Sequence, residues 1–380
     1  MPLHDVGYRA WTGERHPPGS AAVVIATTGI VLSWKSRWLR RAVLFAWSPA
    51  LVFAMSFFAF EQAVEEGRLG MLEATAQAGR DLDGVDILGG LIVNTLGRAT
   101  DDRPDFLPGS VEEVEYTRRT VWSRLLLAFM RAPQAVLLAV VIGLIAPTLI
   151  SRDMRAKAWL TYFTRPVSRR DYILGKAAVL AGVVAMVTVL PGLGLWLVGV
   201  LVSPSVNVAI ATIDLPLKVL ASSIVVAVPT VLLALAYSAI TTESRIAGFA
   251  WFATWSACWI AHSALGAAEL MAHQPSPDDE RPPEVRGFLD EAFGRQSPLH
   301  GDRHDRARPM SWIARAAGLD ASIDNWSWVS PYHSVGVVQA AIFGMEQRPQ
   351  AYLPPLISLA SISAVSLVVL LRRVDAPMRS

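Results

Sequence analysis

Charge is what this sequence has least of. Only 17% of its 380 residues are Asp, Glu, Lys or Arg, against 53% hydrophobic residues. An ordinary soluble domain carries about 25% charged and about 45–50% apolar residues. That imbalance excludes both a simple soluble domain and a disordered chain. Cysteine is nearly absent: Cys258 stands alone, which excludes a disulfide scaffold and a thiolate metal cluster. A net charge of only +2 gives no general nucleic-acid-binding surface. Glycine and proline number 26 and 24 but follow no period, so a fibrous repeat is excluded as well. Catalytic signatures are missing too. There is no HExxH, no G-x-S-x-G elbow and no acidic pair within an apolar run. There is also no G-x-x-x-x-G-K-[ST] loop, whose backbone amides would cradle phosphates: Gly175-Lys176 lacks both the earlier glycine and a following Ser or Thr. Pro191-Gly192-Leu193-Gly194 lacks the third glycine of G-x-G-x-x-G. Catalysis within this chain is not expected, and neither is a cofactor or metal of its own.

What is abundant is long apolar sequence. A bilayer core of about 30 Å needs about 20 mostly apolar residues per helix, because lipid offers backbone groups no hydrogen-bond partner. Six stretches qualify: residues 42–60, 132–150, 177–202, 219–240, 246–268 and 353–371, none with a Lys, Arg, Asp or Glu. The expected fold class is an all-α polytopic membrane protein with six transmembrane helices. Pro191 predicts a tilt or kink in the third. A seventh apolar stretch, Ala21–Trp34, is too short to span, and runs into Lys35, Arg37, Trp38, Arg40 and Arg41. That order predicts an N-terminal amphipathic elbow helix lying along the membrane surface. The residues before it show no signal-peptide pattern.

Lys and Arg accumulate on the cytoplasmic side of spanning helices. Segments 1–41, 151–176 and 372–380 are net basic, whereas 61–131 and 269–352 are net acidic and 241–245 is neutral. The alternation predicts cytoplasmic termini in a cytoplasmic (inner) membrane. It also predicts two large extracytoplasmic loops, 61–131 and 269–352, and a shorter outer loop at 203–218. Helical pieces are expected in the first loop at Glu61–Gly79 and Val111–Arg124. The run from Ser330 to Gly344 reads either as interfacial packing or as a lid at the outer mouth.

The segment from Ser151 to Lys176 reads SRDMRAKAWLTYFTRPVSRRDYILGK. Arg152–Phe163 has no Gly or Pro and predicts a helix, with Trp159, Tyr162 and Phe163 as an aromatic stripe behind Arg152, Arg155 and Lys157. Arg165-Pro166 ends that helix, and Ser168 is placed to cap a second one leading into the third span. The helix has two readings: aromatic anchors at the lipid headgroups, or a docking knob for a cytoplasmic partner.

PVSRRDYILGK, after a charged helix that leaves a second span, resembles the permease subunits of ABC exporters of the type-2 family. The core of the match runs Thr164-Arg165-Pro166-Val167-Ser168-Arg169, then Gly175-Lys176. Asp153 matches the family's acid, whereas Lys157-Ala158 stands where the family has Gly-Thr and Tyr162-Phe163 where it has leucines. The resemblance implies an elbow at Ala21–Arg41 and an ATPase-coupling helix at Arg152–Phe163. The coupling residues would be Arg152, Asp153, Arg155, Lys157, Trp159, Tyr162, Phe163, Arg165 and Pro166. It further implies a separate ABC ATPase subunit that holds ATP and Mg, and a second permease chain, identical or not, that completes a twelve-span core. The other reading is a non-transporting anchor or signalling component whose outer loops bind a partner protein. Two minor features complete the inventory. His300 and His304, beside Asp302 and Asp305, have metal-ligand spacing but lie in a charged, loop-like stretch. His262, with Tyr237 and Cys258, is among the few ionisable side chains in a span.

Overall fold

The computed structural model describes residues 20–65, 110–158, 167–205, 207–273, 330–345 and 349–375. All of the regular structure in them is helical. In chain order the helices are α1 (Ser20–Trp34), α2 (Arg37–Ala46), α3 (Ser48–Glu65), α4 (Val111–Leu149) and α5 (Ser151–Arg155). There follow α6 (Arg169–Val202), α7 (Asn207–Ala211), α8 (Asp214–Ile240), α9 (Ser244–His273), α10 (Pro331–Ile342) and α11 (Pro349–Asp375). Among the described residues five helical segments are long and apolar enough to cross a membrane: Arg37–Glu65, Val136–Arg155, Arg169–Val202, Asp214–Ile240 and Pro349–Val374. The sixth expected span, 246–268, falls inside α9, which runs for 30 residues but carries Trp251, Trp255 and Trp259 among small and hydroxyl side chains.

Serines set the helix starts. Ser36 accepts a hydrogen bond from the Leu39 amide at 3.4 Å, and Ser110 from the Glu113 amide at 3.2 Å. Ser168 forms a reciprocal capping box with Asp171, so its position at the mouth of the third span agrees with the sequence reading. The short helix expected there is continuous with the span, giving α6 a single run of 34 residues through Pro191. α4 is longer still, at 39 residues. It absorbs the helical piece expected at Val111–Arg124 into the second span.

Contacts show that successive long helices alternate in direction. Phe57 near the end of α3, Trp122 near the start of α4 and Gly199 near the end of α6 meet at one end of the bundle. At the other end Ile150 and Ser151, after α4, reach Ser238 near the end of α8 and Ser244 at the start of α9. The buried side chains form two clusters. One includes Leu39, Leu138, Ile142, Val183, Leu235 and Trp251; the other is more aromatic, with Phe57, Phe60, Trp122, Phe129 and Phe343. The Phe57 and Trp122 rings meet edge to face with centroids 5.4 Å apart.

Hydrocarbon gives helices no hydrophobic reason to associate, so close contact through small residues matters more. α1 lies along α6 this way: Gly175 faces Ile25 and Ala22, Gly182 faces Ile30, and Gly29 faces Val179. α1 is apolar around its whole circumference, and the two-faced pattern belongs to α2, which buries Leu39, Val43 and Ala46 and exposes its arginines. Outside the clusters the surface is strongly apolar: Leu51, Val52, Ile224, Phe249 and Val365 are all more than half exposed. A water-soluble monomer does not carry such a surface, whereas lipid or a second membrane chain covers it.

Candidate functional site

The loop after the second span was the strongest candidate in the sequence, and its described part is a knot of polar contacts at one end of the bundle. α5 is a single turn and a half that leaves α4 at Ile150. The helix expected from Arg152 to Phe163 ends at Arg155, because the chain closes there with two backbone bonds. The Ala158 amide donates to the Asp153 carbonyl at 2.9 Å and the Lys157 amide to the Met154 carbonyl at 3.1 Å, the Schellman closure. That closure requires a left-handed residue, and Lys157 occupies the position with φ 50°, the sole non-glycine with positive φ among the described residues. Glycine has no Cβ to clash there, so the lysine stands where a glycine is the cheaper choice.

Asp153 is not displayed to solvent. Its Oδ2 accepts the Tyr172 hydroxyl at 2.9 Å and lies 2.7 Å from Lys176 Nζ, and the ammonium also sits 5.5 Å from the Tyr172 ring centre. Tyr172 is fully buried and both charged side chains are largely covered. The acid therefore fastens α5 to the first turns of α6. Arg155 fastens it in another direction. Its guanidinium donates to the Thr242 carbonyl at 3.1 and 3.3 Å and pairs with Glu243 at 3.0 Å.

Beneath these lies a buried serine junction. Ser238 Oγ accepts the Ile150 and Ser151 amides at 3.0 and 3.2 Å and donates to the Pro147 carbonyl at 3.2 Å. Ser151 Oγ also donates to the Pro147 carbonyl and meets Ser244 Oγ at 3.0 Å. Pro147 itself has no N–H, and helix ends leave backbone groups without intrahelical partners. Ser238 and Ser151 supply those partners. Four long helices, α4, α6, α8 and α9, are thus joined through a five-residue helix.

Of the coupling residues the resemblance implied, Asp153 is turned into this junction; Arg155 bonds the turn at Thr242 and Glu243 while staying exposed, and Arg152 and Lys157 are exposed as well. Trp159, Tyr162, Phe163, Arg165 and Pro166 lie outside the described residues. Sequence reasoning missed Tyr172, Lys176, Ser238 and Glu243. The capping box placed Tyr172 and Lys176 on one early face of α6, which is a usable signal. Nothing local marks Ser238, whose partners are 87 and 88 residues away.

A second polar group sits at the opposite end. Glu61 on α3 is 1% exposed and accepts Arg118 Nε at 2.9 Å, Arg118 Nη2 at 3.0 Å and the Trp122 indole N–H at 3.0 Å. This two-pronged pair locks α3 to α4. Close by, Arg119 and Lys218 hold Asp214 at 2.9 and 3.0 Å. Of the minor features, Tyr237 shares a hydrogen bond with Thr254 at 2.7 Å and Cys258 is a half-buried free thiol. The His262 side chain, His300, Asp302, His304 and Asp305 lie outside the described residues.

The chain matches the family model described as ABC-2 family transporter protein over residues 39–371. No curated protein and no solved structure matches the chain.

Proposed function

The chain belongs to the ABC-2 transporter family and is a multi-pass membrane permease; from that premise we propose that it moves substrate outward under the drive of a separate ABC ATPase. In this reading the ATPase binds ATP and Mg, docks on the loop 152–166, and uses its closure to push α5. Two six-span chains, identical or not, form the core in a cytoplasmic membrane, with both termini on the ATPase side. The chain itself performs no hydrolysis.

The observation that supports this reading best is the junction around α5. A load applied to a five-residue helix moves a membrane bundle only if that helix is bonded to several spans. Here Asp153 grips α6, Arg155 grips the turn between α8 and α9, and Ser151 with Ser238 joins α4 to α8. The contact surface toward the ATPase is then Arg152, Arg155 and Lys157 with the segment that follows, rather than Asp153. A lipid-anchoring loop has no need of such inward bonds.

The test is affinity purification of the tagged full-length chain from native membranes in mild detergent, followed by protein identification. A stoichiometric P-loop ATPase is the expected companion. Arg152→Glu with Lys157→Glu should reduce its recovery while Asp153→Asn leaves it bound. Absence of any ATPase across several mild detergents would overturn the reading in favour of an anchor or signalling component.

A further inference from the structure

Away from both polar junctions, α4, α6, α8, α9 and α10 line a narrow, partly open cleft. Its polar lining is unusual. Gln339 is 1% exposed, and neither its amide nitrogen nor its amide oxygen has a hydrogen-bond partner. The buried indole Nε1 of Trp255, in the same lining, is also without a partner. Arg131 is half-buried in that lining and makes no ion pair among the described residues. Its guanidinium rests against Gly336 of α10, where an added methyl would come within 2.6 Å of Nε.

Buried polar groups are nearly always paired, and a cation among apolar helices is costly without a counter-charge. Among the described residues three unpaired groups converge on one space. Two are neutral N–H donors and one is a permanent cation with a fork of donors. Thr188 adds no further donor, because its hydroxyl is spent on the Val184 carbonyl at 2.9 Å. A water molecule would satisfy the glutamine but would leave the arginine without an anion. The rest of the lining is Tyr332, Gly336 and the apolar Met130, Leu138, Val226 and Val335. Across Trp255 and Val335 a second narrow, open-sided cleft adjoins it; Pro229, Leu233, Leu359 and Ile362 line it together with Thr230, Thr254 and Cys258.

We infer that the two clefts form a binding site for an amphiphile with an acidic head group. A phosphate or carboxylate oxygen takes the forked donors of Arg131, the Trp255 N–H and the Gln339 amide, and the hydrocarbon tail runs out along the adjoining open-sided cleft. Lipid from the bilayer and exported cargo share this chemistry, and the experiment separates them.

The probe is dodecyl phosphate, with dodecanol as its neutral counterpart, titrated onto the purified full-length protein in detergent and read by native mass spectrometry. Dodecyl phosphate should bind at least about tenfold more tightly than dodecanol, the equivalent of one charge-assisted contact. Arg131→Gln should remove that preference, Arg131→Lys should restore most of it, and Gln339→Leu should weaken binding several-fold. Gly336→Ala keeps every polar group but displaces the guanidinium, so it should weaken binding as well. It carries the test if Arg131→Gln does not assemble. Equal binding of both probes, or parental affinity in Arg131→Gln and Gly336→Ala, would overturn the inference. An acidic phospholipid that co-purifies with the parent and is lost in Arg131→Gln marks a bilayer ligand. Stimulation of a partner's ATP hydrolysis by dodecyl phosphate, lost in the same variant, marks cargo. The binding measurement needs no ATPase, so it stands or falls apart from the docking reading.

Discussion

Removing Glu61 should cost this protein more stability than almost any other single change, and the structure says how much. The carboxylate accepts both prongs of the Arg118 guanidinium and the Trp122 indole N–H, with the two charged residues 1% and 6% exposed. Glu61→Leu strands a buried guanidinium, a loss of about 3–5 kcal/mol when one member of a buried pair is removed. The orphaned indole N–H adds about 1–3 kcal/mol. The two losses share a site and will not sum fully, so about 4–6 kcal/mol is expected. Arg118→Met should cost about 3–5 kcal/mol by the same reasoning, because it leaves the carboxylate buried and unpaired. The combination is the informative variant. Replacing both charges with apolar side chains of similar size removes the desolvation penalty together with the attraction, which is often close to neutral. The double variant should therefore be more stable than either single one. The assay is an equilibrium SDS titration in mixed micelles, followed by helical circular dichroism, across the four proteins of the cycle. A double variant as unstable as the sum of the two singles would refute the reasoning, as would single variants within about 0.5 kcal/mol of the parent, the range of ordinary surface changes.

Three further outcomes follow from the other end of the bundle. Lys157→Gly relieves a left-handed residue and should stabilise the closure of α5 by about 1 kcal/mol, read as slower local hydrogen exchange over residues 151–158. Asp153→Asn and Lys176→Met each break the grip of α5 on α6. In membranes both should retain the ATPase partner while ATP-dependent transport falls; parallel loss of the partner would argue against a coupling role. Ser238→Ala leaves the buried Ile150 and Ser151 amides without their acceptor and should lower stability by about 1–3 kcal/mol, measured by the same SDS titration.

The long apolar runs were legible because a membrane span announces itself through the absence of charge, and five of the six expected spans coincide with described helices long and apolar enough to cross. The helix start at Ser168 was legible for a local reason, since a capping serine acts within three residues. What the pattern missed is everything in which charge is paid back by a distant partner. Val111–Arg124 reads as a helical piece apart from the second span because Arg118, Arg124 and Arg131 interrupt the apolar run, yet one helix continues straight through them. Glu61 neutralises Arg118 from 57 residues away, which no local window contains. The partners of Asp153 and Arg155 were hidden for the same reason: Asp153 turns inward to α6, and Arg155, a surface charge as read, pairs beyond α8. The early end of α5 had a signal in hindsight, because Lys157 occupies the place the resemblance gives to glycine.

α4 can also be considered as a mechanical member. At 39 residues it is a rod about 58 Å long. It is pinned near one tip by the two-pronged Glu61 bond and near the other by Ser238, with Arg131 between the pins. A rigid rod does not let one end move alone. A rotation of about 5° around its middle would carry each tip about 2.5 Å in opposite directions, close to the distance that separates a hydrogen bond made from one broken. Small angular strokes at α5 are therefore enough to exchange polar contacts at the far tip, and the intervening cleft lies where the stroke is shortest.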